Sequence, residues 1–168
     1  MNARARLSAR EWRRKPVKKN KPSILIVEDD QDTRETLNTL LQQKGCKTDT
    51  AKNGQEAIQK SQTRFFNLAL IDIKLADMEG TELLTTMHKN LPKMMKIMIT
   101  GYPSLENAVE ALNLGADAYI IKPVKPKKLL ALIEEKLEEQ RQAEKMTEEK
   151  VTKWIKTRAR KLEDERQK

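Results

Sequence analysis

A chain of 168 residues that is 38% hydrophobic can bury one core, and its 35% charge demands long solvated surfaces besides. No apolar run approaches the roughly 18 residues of a membrane-spanning helix, and the single Cys46 excludes an internal disulfide and fits a reducing cytoplasm. The net charge of +9 belongs to the ends: residues 24–125 hold twelve Lys/Arg against fourteen acids, so the folded part gives no electrostatic ground for binding nucleic acid.

Residues 1–22 hold nine Lys/Arg, with Pro16 and Pro22, and Ser8 and Glu11 at capping-box spacing before Trp12. Such a like-charge run is usually disordered, which predicts a flexible tail, with a nucleic-acid or anionic-surface contact as the alternative. From Ser23 the pattern alternates between strand and helix. Ile24 to Val27 is an apolar strand. Asp32 to Lys44 carries Leu37, Leu40 and Leu41 on one helical face, and Gly45 ends it. Cys46 to Ala51 is a weaker, more polar strand suited to an edge, with Cys46 as ordinary filling. Gly54 to Thr63 reads as a helix. Asn67 to Asp72 is a continuous apolar run, the central buried strand, and it ends on a carboxylate. Thr81 to Lys89 follows as a helix in which His88 is an ordinary residue. Lys96 to Thr100 is the next strand. Pro103 suits the first turn of a helix carrying Leu105, Ala108, Val109 and Leu112, which Gly115 closes. Ala118 to Ile121 is the last strand, and helix resumes near Pro126 with Leu129, Leu132, Ile133 and Leu137.

Strands alternating with helices of about ten residues predict βαβ crossovers and a parallel sheet. Right-handed crossovers bring every strand's carboxyl end to one rim, where open α/β sheets bind ligands. Three ends carry Glu28-Asp29-Asp30, Asp72 and Thr100-Gly101, and a fourth carries Lys122-Pro123. Clustered carboxylates need a compensating cation. Oxygen ligands with no His or Cys nearby suit Mg²⁺. Asp72 can then act as a nucleophile that takes a phosphoryl group as an acyl phosphate. Lys122 offers a positive charge and Thr100 a hydroxyl to phosphoryl oxygens. A nucleotide or flavin site is disfavoured, because neither G-x-G-x-x-G nor a Walker A run is present.

Residues 23–140 resemble the receiver domain of two-component response regulators. Ile24-Leu25-Ile26-Val27-Glu28-Asp29-Asp30 looks like the family's first strand and acidic pair. Leu70-Ile71-Asp72-Ile73-Lys74-Leu75-Ala76-Asp77-Met78-Glu79-Gly80 looks like its phosphoacceptor stretch. Met98-Ile99-Thr100-Gly101 and Gly115-Ala116-Asp117-Ala118-Tyr119-Ile120-Ile121-Lys122-Pro123 look like its last two signatures. The resemblance implies a doubly wound, flavodoxin-like (βα)5 fold with strand order 2-1-3-4-5. It implies Asp72 as phosphoacceptor, and Mg²⁺ held by Glu28, Asp29, Asp72 and the Lys74 carbonyl, with Glu28 acting through water. It further implies Lys122 against the phosphoryl group, Thr100 moving toward it, Tyr119 swinging inward, and a cis bond before Pro123. The resemblance also implies that the phosphate comes from a sensor histidine kinase or phosphotransfer protein, and that the receiver catalyses its own phosphorylation and dephosphorylation. Ala76 departs from the family's usual Pro and should loosen the loop. Lys74 and Tyr102 fall where the family varies and leave the phosphoryl lifetime open.

Residues 141–168 are expected to form a charged helical tail, since Val151, Trp154, Ile155, Ala159 and Leu162 recur at helical spacing. It reads either as a docking helix, including one that pairs two copies, or as a solvated helix. The expected whole is a stand-alone cytoplasmic response regulator that contacts a downstream protein when phosphorylated. The alternative is a nucleic-acid-binding effector whose basic tails the receiver gates.

Overall fold

The computed structural model describes residues 20–166, and side chains through residue 160. The Ser8–Glu11 capping box and most of the expected N-terminal tail lie outside the described residues. Five strands are β1 (Ser23–Val27), β2 (Lys47–Ala51), β3 (Leu68–Asp72), β4 (Met95–Thr100) and β5 (Ala118–Ile121). Five helices follow them in turn: α1 (Gln31–Gln43), α2 (Gly54–Thr63), α3 (Gly80–Asn90), α4 (Leu105–Asn113) and α5 (Pro126–Arg166). The strands form one parallel sheet in the order β2-β1-β3-β4-β5. This is the doubly wound, flavodoxin-like arrangement that the alternation and the resemblance predict.

Burial follows the two periods of the sequence. Every residue of β3 is buried, because strands flank it on both sides and helices cover both faces. Successive strand side chains point to opposite faces. Leu25, Val27, Ala69, Ile71 and Met98 therefore meet the apolar faces of α2, α3 and α4. Ile24, Ile26, Leu70, Ile97 and Ile99 meet α1 and α5. β2 lies at the edge and is only partly buried, as its polar sequence requires.

Helix starts are set by side-chain caps. Asp30 accepts from the Thr33 amide (2.8 Å), Asn53 from Glu56 (2.8 Å) and Ser104 from Asn107 (3.0 Å). The Ser104 cap corrects the placement of Pro103, which stands before α4 rather than in its first turn. At the other end of α1, Gly45 takes a φ of 84°, which a side chain would resist.

α5 runs unbroken for 41 residues, straight through position 140. Leu129, Ile133 and Leu137 pack on the sheet. Gln140 is 4% exposed and ties the helix to the sheet's amino-terminal edge. Its amide donates to the Asn67 and Lys93 carbonyls at 2.9 and 2.8 Å. Every described side chain from residue 141 to 160 is exposed.

Candidate functional site

The sheet register levels the strand ends that carry polar groups. Val27 pairs with Ile71, and Asp72 with Ile99, so Glu28 and Asp29 just after β1, Asp72 on β3 and Thr100 on β4 project at one rim. Lys122 leaves β5 two strands from Asp72. Its amide is held by the Thr100 carbonyl at 2.7 Å, and its side chain reaches back across the rim.

Lys122 Nζ donates to Glu28 Oε2 at 2.8 Å and to Asp72 Oδ2 at 3.1 Å. Glu28 is 2% exposed and Asp72 7%. Two buried carboxylates bridged by one ammonium leave the cluster one negative charge in excess. Burial pushes the Glu28 carboxyl from an ordinary 4.5 up to about 7, against the lowering effect of the Lys122 hydrogen bond. Burial also opposes the charge on Lys122, but its bond to Glu28 and the field of Asp72 outweigh it and raise that ammonium's pKa.

Asp29 is exposed beside this pair. Glu28, Asp29 and Asp72 each offer an oxygen, and the three oxygens lie within 4.8 Å of one another. The residual negative charge, the all-oxygen donor set and the absence of His and Cys from the cluster fit Mg²⁺. Asp30 stands apart from this set. It is spent as the α1 cap, and its bonds to Thr33 hold its carboxyl below the usual range.

The loop from Ile73 to Glu79 carries the Lys74 carbonyl. The Lys74 amide donates to Asp72 Oδ1 at 3.3 Å, and the loop closes through the Gly80 amide on the Ile73 carbonyl at 2.6 Å. A Cβ at Gly80 would overlap the Asp72 carbonyl oxygen, so only glycine lets α3 begin this close to β3. Asp77 accepts from the Gly54 and Gln55 amides at 2.8 and 2.9 Å. It thus anchors the loop to the first turn of α2. Sequence spacing held no signal for this, since the partners stand 22 and 23 positions away.

Thr100 is fully buried, and its Oγ1 accepts from the Tyr102 amide at 2.9 Å. Tyr119 pairs with Met98 along β4 and already packs against the core. Its hydroxyl is buried and has no hydrogen-bond partner among the described residues. The Lys122–Pro123 bond is cis.

The family model for the response regulator receiver domain matches residues 24–134. The transcriptional regulatory protein ZraR of Klebsiella oxytoca is 37% identical over 121 residues, which cover 72% of this chain and 27% of that protein. The chain thus spans about a quarter of the length of such curated relatives. Among solved structures, the CheY-like response regulator receiver domain protein from Methanospirillum hungatei JF-1 is 52% identical. It superposes with a TM-score of 0.72 over 73% of this chain and 98% of its own. NtrX from Brucella abortus is 30% identical with a TM-score of 0.73, over 76% of this chain and 29% of its own.

Proposed function

The chain belongs to the response regulator receiver family, and from that premise we propose that it is a phosphorylation-driven switch whose acceptor is Asp72. The observation that carries this reading is the Lys122 bridge between Asp72 and Glu28, at 3.1 and 2.8 Å, with Asp29 open to solvent beside it. An Asp72 carboxylate oxygen attacks the phosphorus of a phosphohistidine on a sensor kinase or phosphotransfer protein. The P–N bond breaks as the P–O bond forms, and the released imidazole keeps the electron pair. The product is an acyl phosphate on Asp72.

Glu28, Asp29, Asp72 and the Lys74 carbonyl would hold Mg²⁺, which neutralises phosphoryl charge when bound. Lys122 gives up part of its hold on Asp72 and pairs with the incoming phosphoryl oxygens. Thr100 gives up the Tyr102 amide and turns its hydroxyl to the same group. A buried site of this kind is not read directly by a partner, so the change must reach the surface. The face built by α4 and β5 suits that role. Leu105 (80%), Val109 (48%), Leu112 (51%) and Ile121 (51%) are exposed there, an apolar patch next to Tyr119 and Thr100 in the chain. The downstream partner is a protein that recognises this patch.

Acetyl phosphate with Mg²⁺ should add one base-labile phosphoryl group, and Asp72→Asn should remove it while the fold is kept. Undiminished labelling of that variant would exclude Asp72 as the acceptor.

A further inference from the structure

Three carboxylates converge at the rim, and two of them are held there through their own oxygens. Glu28 accepts from the Lys122 ammonium at 2.8 Å and from the Asp30 amide at 3.2 Å. Asp72 accepts from the same ammonium at 3.1 Å and from the Lys74 amide at 3.3 Å. Asp29 differs. It is exposed, and its carboxylate takes no hydrogen bond and no ion pair among the described residues. It also stands after the last residue of β1 and before the first of α1, so neither element fixes its backbone. The direction of this side chain depends on how residues 28–30 are held.

One side chain holds them. Arg34, half-buried and the fourth residue of α1, turns back toward the end of β1. Its Nη1 donates to the Glu28 carbonyl at 2.7 Å and to the Asp29 carbonyl at 3.1 Å. Each peptide unit is planar, so fixing its carbonyl fixes the whole plane. These two carbonyls belong to the two planes that meet at the Asp29 Cα. One guanidinium thus sets the Asp29 backbone, and with it the direction in which the side chain leaves. Arg34 has a firm base of its own, because its amide donates to the Asp30 carbonyl at 3.0 Å and Asp30 caps the helix.

We propose that Arg34 is a positioning residue, which holds the Asp29 carboxylate in the metal-binding cluster by pinning the peptide planes on either side of it. The inference rests on the reading of Glu28, Asp29 and Asp72 as ligands of Mg²⁺. Two effects of Arg34 then oppose each other. Its positive charge repels a cation, through solvent that screens it. Its bonds arrange in advance a ligand that would otherwise be ordered only on binding. Losing one screened charge changes affinity severalfold at most, whereas losing a group that orients a ligand costs roughly ten- to a hundredfold. Positioning wins, so removal of Arg34 weakens binding even though it leaves the site more negative. A direct contact with the phosphoryl group is the weaker reading, since Nη1 is spent on the backbone.

Mg²⁺ titration of the full chain by calorimetry, with no phosphoryl donor present, tests it. Arg34→Met keeps the apolar stem and removes the donors, and should weaken binding about tenfold. Arg34→Lys can still donate to the two carbonyls and should recover most of that loss. In an Asp29→Ala background no carboxylate is left to aim, so Arg34→Met should change affinity less than about twofold. In EDTA, amide exchange at Asp29 and Asp30 should quicken in Arg34→Met while unfolding stays cooperative. Tighter Mg²⁺ binding by Arg34→Met would reduce Arg34 to a nearby charge and overturn the proposal. An equal loss in the Asp29→Ala background would overturn it too, because Arg34 would then act elsewhere in the site. Unchanged Mg²⁺ affinity with weaker use of acetyl phosphate would make Arg34 a phosphoryl contact instead. If Asp29→Ala alone binds Mg²⁺ as the parent does, the ligand reading has failed and this inference falls with it. If only Arg34→Met does, the ligands stand and the positioning role falls.

Discussion

Glu28 is the residue at which folding and chemistry pull apart. It is 2% exposed and shares Lys122 with Asp72, so its charge is poorly compensated until a cation arrives. Its carboxyl titrates near the ordinary 4.5 when the chain is unfolded and at about 7 when it is folded. Between those values the folded protein holds a proton that the unfolded chain has released. Stability of the metal-free protein should therefore fall as pH rises from about 4.5 to 7, by an amount on the order of 3 kcal/mol. Below that window both states are protonated at this group and above it both are ionised, so its contribution is flat on either side. Glu28→Gln should remove this slope. Urea unfolding in EDTA at pH 5 and pH 8 measures it, and an equal pH dependence in the two proteins would show that Glu28 is not its source. Tyr119 gives a second residue-scale case. Its buried hydroxyl has no partner among the described residues, so Tyr119→Phe should stabilise the unphosphorylated protein by about 1 kcal/mol instead of costing the usual bond. A lower unfolding midpoint for the Phe variant would mean the hydroxyl is satisfied in solution.

Elements were legible from the sequence where periodicity alone decides them. The buried run Leu68–Asp72, the apolar faces of α1 and α3, and the glycine after α1 gave strands and helices within one or two residues of their observed ends. Pro103 misled, because a proline suits both a helix's first turn and the residue before its cap, and Ser104 won the cap. The grouping of Glu28, Asp29, Asp72 and Lys122 followed from strand ends meeting at one rim, a consequence of topology that alternation already implied. What stayed hidden depends on contacts between distant elements. Gly80 is dictated by the backbone of Asp72, and Asp77 by amides on α2. The β3–α3 loop lacks the family's usual proline at Ala76, yet its own Asp77 ties it to the first turn of α2. Asp77→Ala should accordingly free the loop and lower Mg²⁺ affinity through the Lys74 carbonyl, though less than Asp29→Ala, which removes a proposed ligand oxygen. Amide exchange should quicken at Gly54 and Gln55 in the Asp77 variant. A metal titration giving the two variants equal losses would mean that the ligand set is misplaced.

At the scale of the whole molecule, the question is what the 41-residue α5 does for stability. Its first half completes the core through Leu129, Ile133 and Leu137 and is pinned by Gln140. Its second half, from Arg141 on, buries no described side chain, so it can add little to the fold of a single copy. A chain cut to residues 20–140 should therefore unfold cooperatively, with a midpoint close to that of the full chain at low protein concentration. Calorimetry of the two chains side by side compares their midpoints. A large drop at low concentration would place Val151, Trp154 and Ile155 against the protein's own domain, contrary to their exposure. Matching midpoints would show that α5 beyond Gln140 adds nothing to the fold of a single copy, as the exposure of its side chains from 141 to 160 requires.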